Sequence, residues 1–494
     1  MSNKSSYHSI LKATSLFGGV QVFQIIIGII RSKLIAILVG PVGMGISGLL
    51  QISIGMIGGI TNFGLSNSAI KDISAAYADG DLNKVHRIIS VFKQLVWLTG
   101  ILGAVVTLIF SPLLSHLTFG NSKYSWAFAL LSITLLINQI TSGYEVIMRS
   151  MRQIKLSARA SLLGSFLGLI STIPLYYYLG INGIVPALII STIISLISTW
   201  FFALNIPINY VKISFRDLSI EGKEILKLGF LISLSGTTQI IFSYFVRIYI
   251  GKLGTIGDVG LYNAGFAIVN TYVGMIFNAM AIDYYPKLSS VSQNLKEVND
   301  TINQQAEIAI LILSPMILIF IVFIKWVIIL LYSNFFLPVE QMLLFSAVGM
   351  LFKAMSWAIA FLFLAKGLSK LFFWSELIAQ VYTFLLSIYG YHWSGLTGLG
   401  IAFFISYILY FFQVLIISMR LLQFKLSRDL IGIFVINLLI ALIGLGLALS
   451  LESINPCILG VPLILISIFY NMSYLNTKLD IFASLSKFIN KFKK

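Results

Sequence analysis

Five of the chain's 33 lysines and arginines sit where cations are costly to hold. Arg31 and Lys33 fall in "GIIRSKLIAILVGPVG" (Gly28–Gly43), Lys325 in "IFIVFIKWVIILLYS" (Ile319–Ser333) and Lys353 in "VGMLFKAMSWAIAFLFLAKG" (Val348–Gly367). Arg247 interrupts a fourth apolar run. A cation at the centre of a membrane helix costs about 2.5–3.5 kcal/mol on insertion scales. An anionic ligand offsets that cost, and a planar guanidinium fork suits a phosphate. The bland alternative is that Arg31 and Arg247 lie near helix ends and reach lipid headgroups through their aliphatic stems. Lys33, two residues from Arg31, points about 200° away around a helix.

Acids are fewer. Glu145 has Arg149 four residues on, the spacing of a helix ion pair. Asp283 and Glu376 fall near span ends, where solvation is easy. Each is also a candidate for coupling ion flow to transport. Amides such as Asn62, Asn138, Gln139, Asn270, Asn278 and Gln380 lie within spans. They are suited to line a path for sugars or to bond neighbouring helices together.

Composition sets the frame for these residues. The 494 residues are 58% hydrophobic and 10% charged, against about 25% charged in soluble domains. Apolar runs of membrane-spanning length recur from end to end. Fourteen spans are expected, near 11–38, 43–67, 88–113, 124–148, 157–179, 183–205, 225–252, 259–283, 304–331, 340–365, 370–391, 396–420, 429–450 and 456–475. The last two are separated by "SLESINP" (Ser450–Pro456), which suggests a hairpin.

With the N-terminus placed inside, 26 of the 33 cations fall on the cytoplasmic side and two, Lys123 and Lys252, on the other. The positive-inside rule then puts both termini in the cytoplasm. It also accounts for most of the +16 net charge, so nucleic acid is not needed as a partner. The tail 476–494 reads as a basic amphipathic helix on the anionic inner leaflet, which makes membrane lipids a partner.

Several functions are excluded. The first apolar run is too long for a cleavable signal and continues into further spans. One cysteine, Cys457, allows neither an intrachain disulfide nor a cysteine metal site. No phosphate-binding glycine loop occurs, so the chain carries no ATPase of its own. Neither a cofactor nor a catalytic residue is expected. A polymerase or ligase would need a sizeable outer loop with reactive side chains, whereas His116 and His392 stand alone in short loops.

The sequence also repeats. "VGPVGMGISG" (Val39–Gly48) matches "IGDVGLYNAG" (Ile256–Gly265) at Gly40/Gly257, Val42/Val259, Gly43/Gly260 and Gly48/Gly265. Leu11-Lys12 echoes Leu226-Lys227, and Lys71 echoes Lys287. The offset, near 216 residues, equals six spans, so the halves are parallel repeats. The expected fold is an all-α polytopic membrane protein. Two six-helix lobes, 1–212 and 213–425, enclose a central cavity, followed by two further helices in 426–475. Arg31 then corresponds to Arg247, and the pair is expected to face one cavity.

"RSKLIAILVGPVGMGISGLLQ" (Arg31–Gln51) with "NFGLSNSAIKDIS" (Asn62–Ser74) resembles the first two helices of Wzx-type O-antigen and enterobacterial-common-antigen flippases. "FKAMSWAIAFLFLAKGLSKLFFWSELIAQ" (Phe352–Gln380) resembles their tenth and eleventh helices, including the Lys at Lys353 and the Glu at Glu376. These proteins belong to the multidrug/oligosaccharidyl-lipid/polysaccharide exporter superfamily. The resemblance implies two six-helix bundles with a cationic cavity and alternating access. The implied substrate is an undecaprenyl-pyrophosphate-linked oligosaccharide, such as an O-antigen repeat unit of lipopolysaccharide, moved from the cytoplasmic to the periplasmic leaflet. Arg31, Arg247, Lys353, Lys33 and Lys325 would then form the cationic site, with Glu145, Asp283, Glu376, Asn62 and Asn270 as coupling or polar lining groups. A polysaccharide polymerase and a chain-length regulator are the implied protein partners. The rival reading within the superfamily is a multidrug or cation antiporter, whose cavity should favour acids over bases.

Overall fold

In a computed structural model, residues 2–272, 274–450 and 457–479 are described. The Ser450–Pro456 turn falls outside them except for Ser450, and so does most of the basic tail, from 480 onward. The described residues form helices and no strands. These are α1 (Ser2–Thr61), α2 (Leu65–Ala78), α3 (Leu82–Ile109), α4 (Ser111–Phe119), α5 (Ser125–Ser150), α6 (Ile154–Leu179), α7 (Ile184–Ala203) and α8 (Phe215–Leu253). They continue as α9 (Ile256–Ala267), α10 (Gly274–Ser290), α11 (Leu295–Val322), α12 (Ile324–Leu331), α13 (Glu340–Ala365), α14 (Ser369–Leu422), α15 (Arg428–Ser450) and α16 (Cys457–Leu479). An all-helical answer follows from the solvent: in hydrocarbon every backbone polar group needs an internal partner, and a helix supplies it locally.

Nine stretches among the described residues are long and apolar enough to cross a membrane. Three of them, Phe23–Thr61, Ile154–Ala203 and Ser369–Leu422, hold 39, 50 and 54 residues. At about 1.5 Å per residue each far exceeds a hydrocarbon layer about 30 Å thick. Each contains a break that makes it two spans. In α1 the break is Gly40, at φ 63° and ψ −169°, followed by Pro41. Proline disfavours helical geometry in the residue before it, and glycine alone takes this left-handed φ without strain. Gly180 (φ 54°) separates α6 from α7, and Ser394–Gly395 divides α14. Counting each of the three as two, with α8 and the α9–α10 pair as the seventh and eighth, reaches the fourteen spans expected. The chain is a multi-pass membrane protein.

Two compact units divide the chain: Met1–Gly260 with Leu331–Ser333, and Leu261–Leu330 with Asn334–Lys494. In the first, α3 packs on α5 and α6 on α7, and α8 lies against α1, α2, α3 and α4. One apolar cluster joins Leu50, Phe128, Leu131 and Ile184, and another joins Ile73, Ile89, Phe92 and Met148. In the second, α13 is the central helix, packed by α10, α11, α14 and α15. The Phe352 ring meets Phe404, Phe411 and Phe434 edge-on at 5.0–6.1 Å, a favoured aromatic geometry. The last two helices are tied by Asn471, whose Nδ2 donates to Asn437 Oδ1 at 3.0 Å.

The two copies of the repeated glycine motif pack on each other. A Cβ on Gly45 would lie 1.9 Å from Ile256 O, and one on Gly260 would lie 1.8 Å from Pro41 O. The glycines are therefore fixed by close approach of α1 to α9, not by turn geometry. Gly260→Ala should destabilise by about 1–3 kcal/mol through overpacking against backbone. Gly28→Ala, where nothing lies within 4 Å of the added carbon, should not. Thermal unfolding in detergent tests the pair: a lowered midpoint for the first variant alone is expected, and equal midpoints would contradict the contact.

Candidate functional site

Lys353 sits mid-way along α13 in the second unit. Its Nζ donates to Asn270 Oδ1 at 2.9 Å. It also lies 5.2 Å from the Tyr407 ring centroid and 5.9 Å from that of Phe403, within cation–π range. Asn270 is presented by a π-helical turn, Ile268–Tyr272, between α9 and α10. Such wide turns re-aim side chains and recur at functional sites. Asn270 Nδ2 is in turn held by Phe266 O, one turn back, at 3.4 Å.

The break in α14 brings a second set of groups beside it. Because the helix restarts after Gly395, residues on its two halves meet. Tyr410 OH donates to Glu376 Oε1, and Gln413 Nε2 donates to Ser375 O and Oγ, both at 2.9 Å. Glu376 was expected to be solvated near a span end. It is instead half-buried, satisfied by a tyrosine, and close enough to Lys353 for the two charges to attract. Gln380 Oε1 and Tyr382 OH, on the same half of α14, are buried without a hydrogen-bond partner among the described residues.

The first unit holds the other pair of deep cations. Arg31 is half-buried on the first half of α1, and its Nη2 donates to Ser191 Oγ on α7 at 3.4 Å. It lies beside Tyr176 of α6. Arg247 is 8% exposed on α8. Its Nη1 donates to Ser243 O at 3.0 Å and to Ser243 Oγ, one turn back on its own helix. Lys33 is half-buried on α1.

The remaining candidates are placed differently. Lys325 lies just past the α11–α12 break with its side chain 59% exposed, and it pairs with Glu340 at 3.8 Å. Glu145 forms the helix ion pair with Arg149 at 2.8 Å. Asp283 is exposed. Asn62 Oδ1 accepts from Gly64 N at 2.7 Å and so shapes the turn between α1 and α2. Among the described residues no three His, Cys, Asp or Glu converge to hold a metal ion. The sequence reading missed Tyr407 and Tyr410. Their signal was present in "ISYILYFFQ", where two tyrosines three residues apart share a face of an apolar helix.

A helical fold of membrane-spanning length with buried, hydrogen-bonded cations in both units defines a polytopic membrane protein. Its structure is similar to "Lipid II flippase MurJ, inward closed conformation", with a TM-score of 0.73 at 16% identity, over 94% of this chain and 99% of that one. It is also similar to an inward-facing multidrug resistance MATE family transporter of the MOP superfamily, with a TM-score of 0.68 at 15% identity, over 87% and 96%. The polysaccharide biosynthesis protein family matches residues 34–341, and the chain belongs to that family. It is 22% identical over 416 residues to the lipid III flippase of Escherichia coli (strain K12), covering 82% of this chain and 96% of the relative.

Tyr410→Phe removes the O–H that serves Glu376. A hydrogen bond to a charged group contributes about 1.5–3 kcal/mol, so the variant should unfold more easily by that order. Chemical denaturation in detergent measures it, and an unchanged midpoint would show that Glu376 has another partner.

Proposed function

We propose that the protein is a flippase. It moves an oligosaccharide linked to a polyprenyl diphosphate, undecaprenyl-pyrophosphate in the family it resembles, from the cytoplasmic to the periplasmic leaflet by alternating access. The observation that carries this reading is Lys353. It is a cation in the most enclosed helix of its unit, bonded to a neutral amide and faced by two aromatic rings. Its ammonium has three donors, and an anionic diphosphate is the ligand chemistry that such a group recognises. Arg31 fits the same chemistry, since its neighbours are a serine hydroxyl at 3.4 Å and the Tyr176 side chain, neither of them a carboxylate. Arg247, Lys33 and Lys325 complete the proposed cationic set, with Glu145, Asp283, Glu376, Asn62 and Asn270 as coupling or lining groups. The lipid III flippase relative supports the substrate class.

Within this reading the lobes are 1–212 and 213–425, 426–475 adds two helices, and the tail 476–494 lies on the inner leaflet with both termini cytoplasmic. An O-antigen or related surface-polysaccharide repeat unit is the proposed cargo, handed on to a polymerase and chain-length regulator. The protein performs no covalent chemistry in this scheme. The cation-antiporter alternative is disfavoured because a cation site wants carboxylates, and Glu376 is already occupied by Tyr410.

The test is complementation of cells that lack their own flippase, scored by surface polysaccharide at matched protein levels. Lys353→Ala and Arg31→Ala should each lower the signal at least about tenfold, the factor that about 1.4 kcal/mol of lost interaction carries. Full complementation by both variants, or resistance to toxic cations without surface polysaccharide, would overturn the reading.

A further inference from the structure

The first unit encloses a cavity of about 450 Å³ among α1, α3, α5, α7 and α8. That is within the range of about 300–1,000 Å³ typical of small-molecule sites. No charged side chain lines it, which sets it apart from the cationic residues described above. Its wall instead gathers four carboxamides, Gln51, Asn62, Asn138 and Gln139, with hydroxyls such as those of Thr99 and Ser142. Gln51, Gly55 and the Gly58–Gly59 pair lie at three- and four-residue separations on one face of α1, and Asn62 follows just past its end. Gly55 leaves that face open, since a Cβ there would meet nothing within 4 Å, while Gly58 lets Leu135 approach closely, to 3.0 Å from where its Cβ would lie.

Three of the four amides are each held by the protein through one group, and the fourth is not held at all. Gln51 Nε2 is spent on Ser47 Oγ at 2.9 Å, leaving its carbonyl. Gln139 Nε2 donates to Thr99 Oγ1 at 3.1 Å, again leaving its carbonyl. Asn62 Oδ1 is spent on Gly64 N, leaving its amino group. Asn138 is exposed to the cavity and makes no hydrogen bond among the described residues. The free set is thus the carbonyls of Gln51 and Gln139, the second N–H of Gln139, the amino group of Asn62 and the whole carboxamide of Asn138, a mixture of donors and acceptors. Interhelical adhesion would leave these ends paired with each other. An anion would want a cation, and a cation would want a carboxylate. A neutral polyhydroxylated ligand, whose hydroxyls each donate and accept, matches the set.

We infer that this cavity is a subsite for the neutral sugar part of the cargo, separate from the residues that meet the phosphates. The inference deepens the flippase reading and rests on it for the biological ligand, but the cavity's chemistry can be tested alone. The full chain in nanodiscs is probed by saturation-transfer NMR with free maltose and free N,N′-diacetylchitobiose, neither carrying a lipid or phosphate. The wild type should transfer saturation to at least one sugar. Asn138→Leu should lower the affinity at least about fivefold, the factor carried by one ordinary hydrogen bond. Gly55→Leu, whose first added carbon meets nothing within 4 Å and whose side chain adds bulk to the cavity wall, should lower it as much, and thermal unfolding shows whether each variant is folded. Transfer to neither sugar, or equal affinity in folded variants, would overturn the subsite, as would broadening by sodium ions in place of sugars. Loss of sugar binding in the variants with no movement of lipid-linked oligosaccharide by the wild type would leave the subsite standing and remove the flippase reading instead.

Discussion

A basic side chain held away from water must find hydrogen-bond acceptors or aromatic faces, and this constraint shapes both units. Lys353 meets it with an amide aimed by a π-helical turn and two rings from the far half of a broken helix. Arg247 meets it within its own helix, through Ser243. Arg31 meets it through neutral hydroxyls, with a long bond to Ser191 and Tyr176 beside it. The less a buried cation is satisfied by the protein, the more an incoming anion gains by reaching it, because removal from water weakens the competition that normally screens charge.

The same solvent dictates the breaks. A helix twice the thickness of the hydrocarbon layer must turn back, and it can do so only where the backbone tolerates an interruption. Gly40 before Pro41 and Gly395 after Ser394 supply those points. The second break also decides which side chains meet. By folding α14 on itself it sets Tyr410 against Glu376 and Gln413 against Ser375. The close approach of α1 to α9 at Gly45 and Gly260 likewise joins the two copies of the repeated motif.

Much of this was legible in the sequence. Hydropathy, the even spacing of basic loops and the glycine repeat led to an all-helical polytopic fold, and "VGPVG" marked the first break. What could not be read was which groups would meet. Lys353 to Asn270 spans 83 residues and Arg31 to Ser191 spans 160, so these bonds depend on packing that periodicity does not encode. Glu376 illustrates the limit: its position near a span end suggested water, while the fold gave it a tyrosine from the other side of a break. Asn62 and Asn138 illustrate it again: both line one cavity, but composition alone does not show that Asn62 also shapes a turn while Asn138 makes no hydrogen bond among the described residues.

The most direct measurement is cysteine accessibility at positions 31 and 353, each tested separately after Cys457 is replaced. A membrane-impermeant thiol reagent is applied to cells and to inside-out vesicles, with and without lipid-linked oligosaccharide. If the cations line an aqueous path for an anionic lipid-linked cargo, both positions will react, and cargo will slow the reaction. Absence of labelling from either side, or labelling indifferent to cargo, would place these side chains against lipid or packed protein and contradict a cationic path.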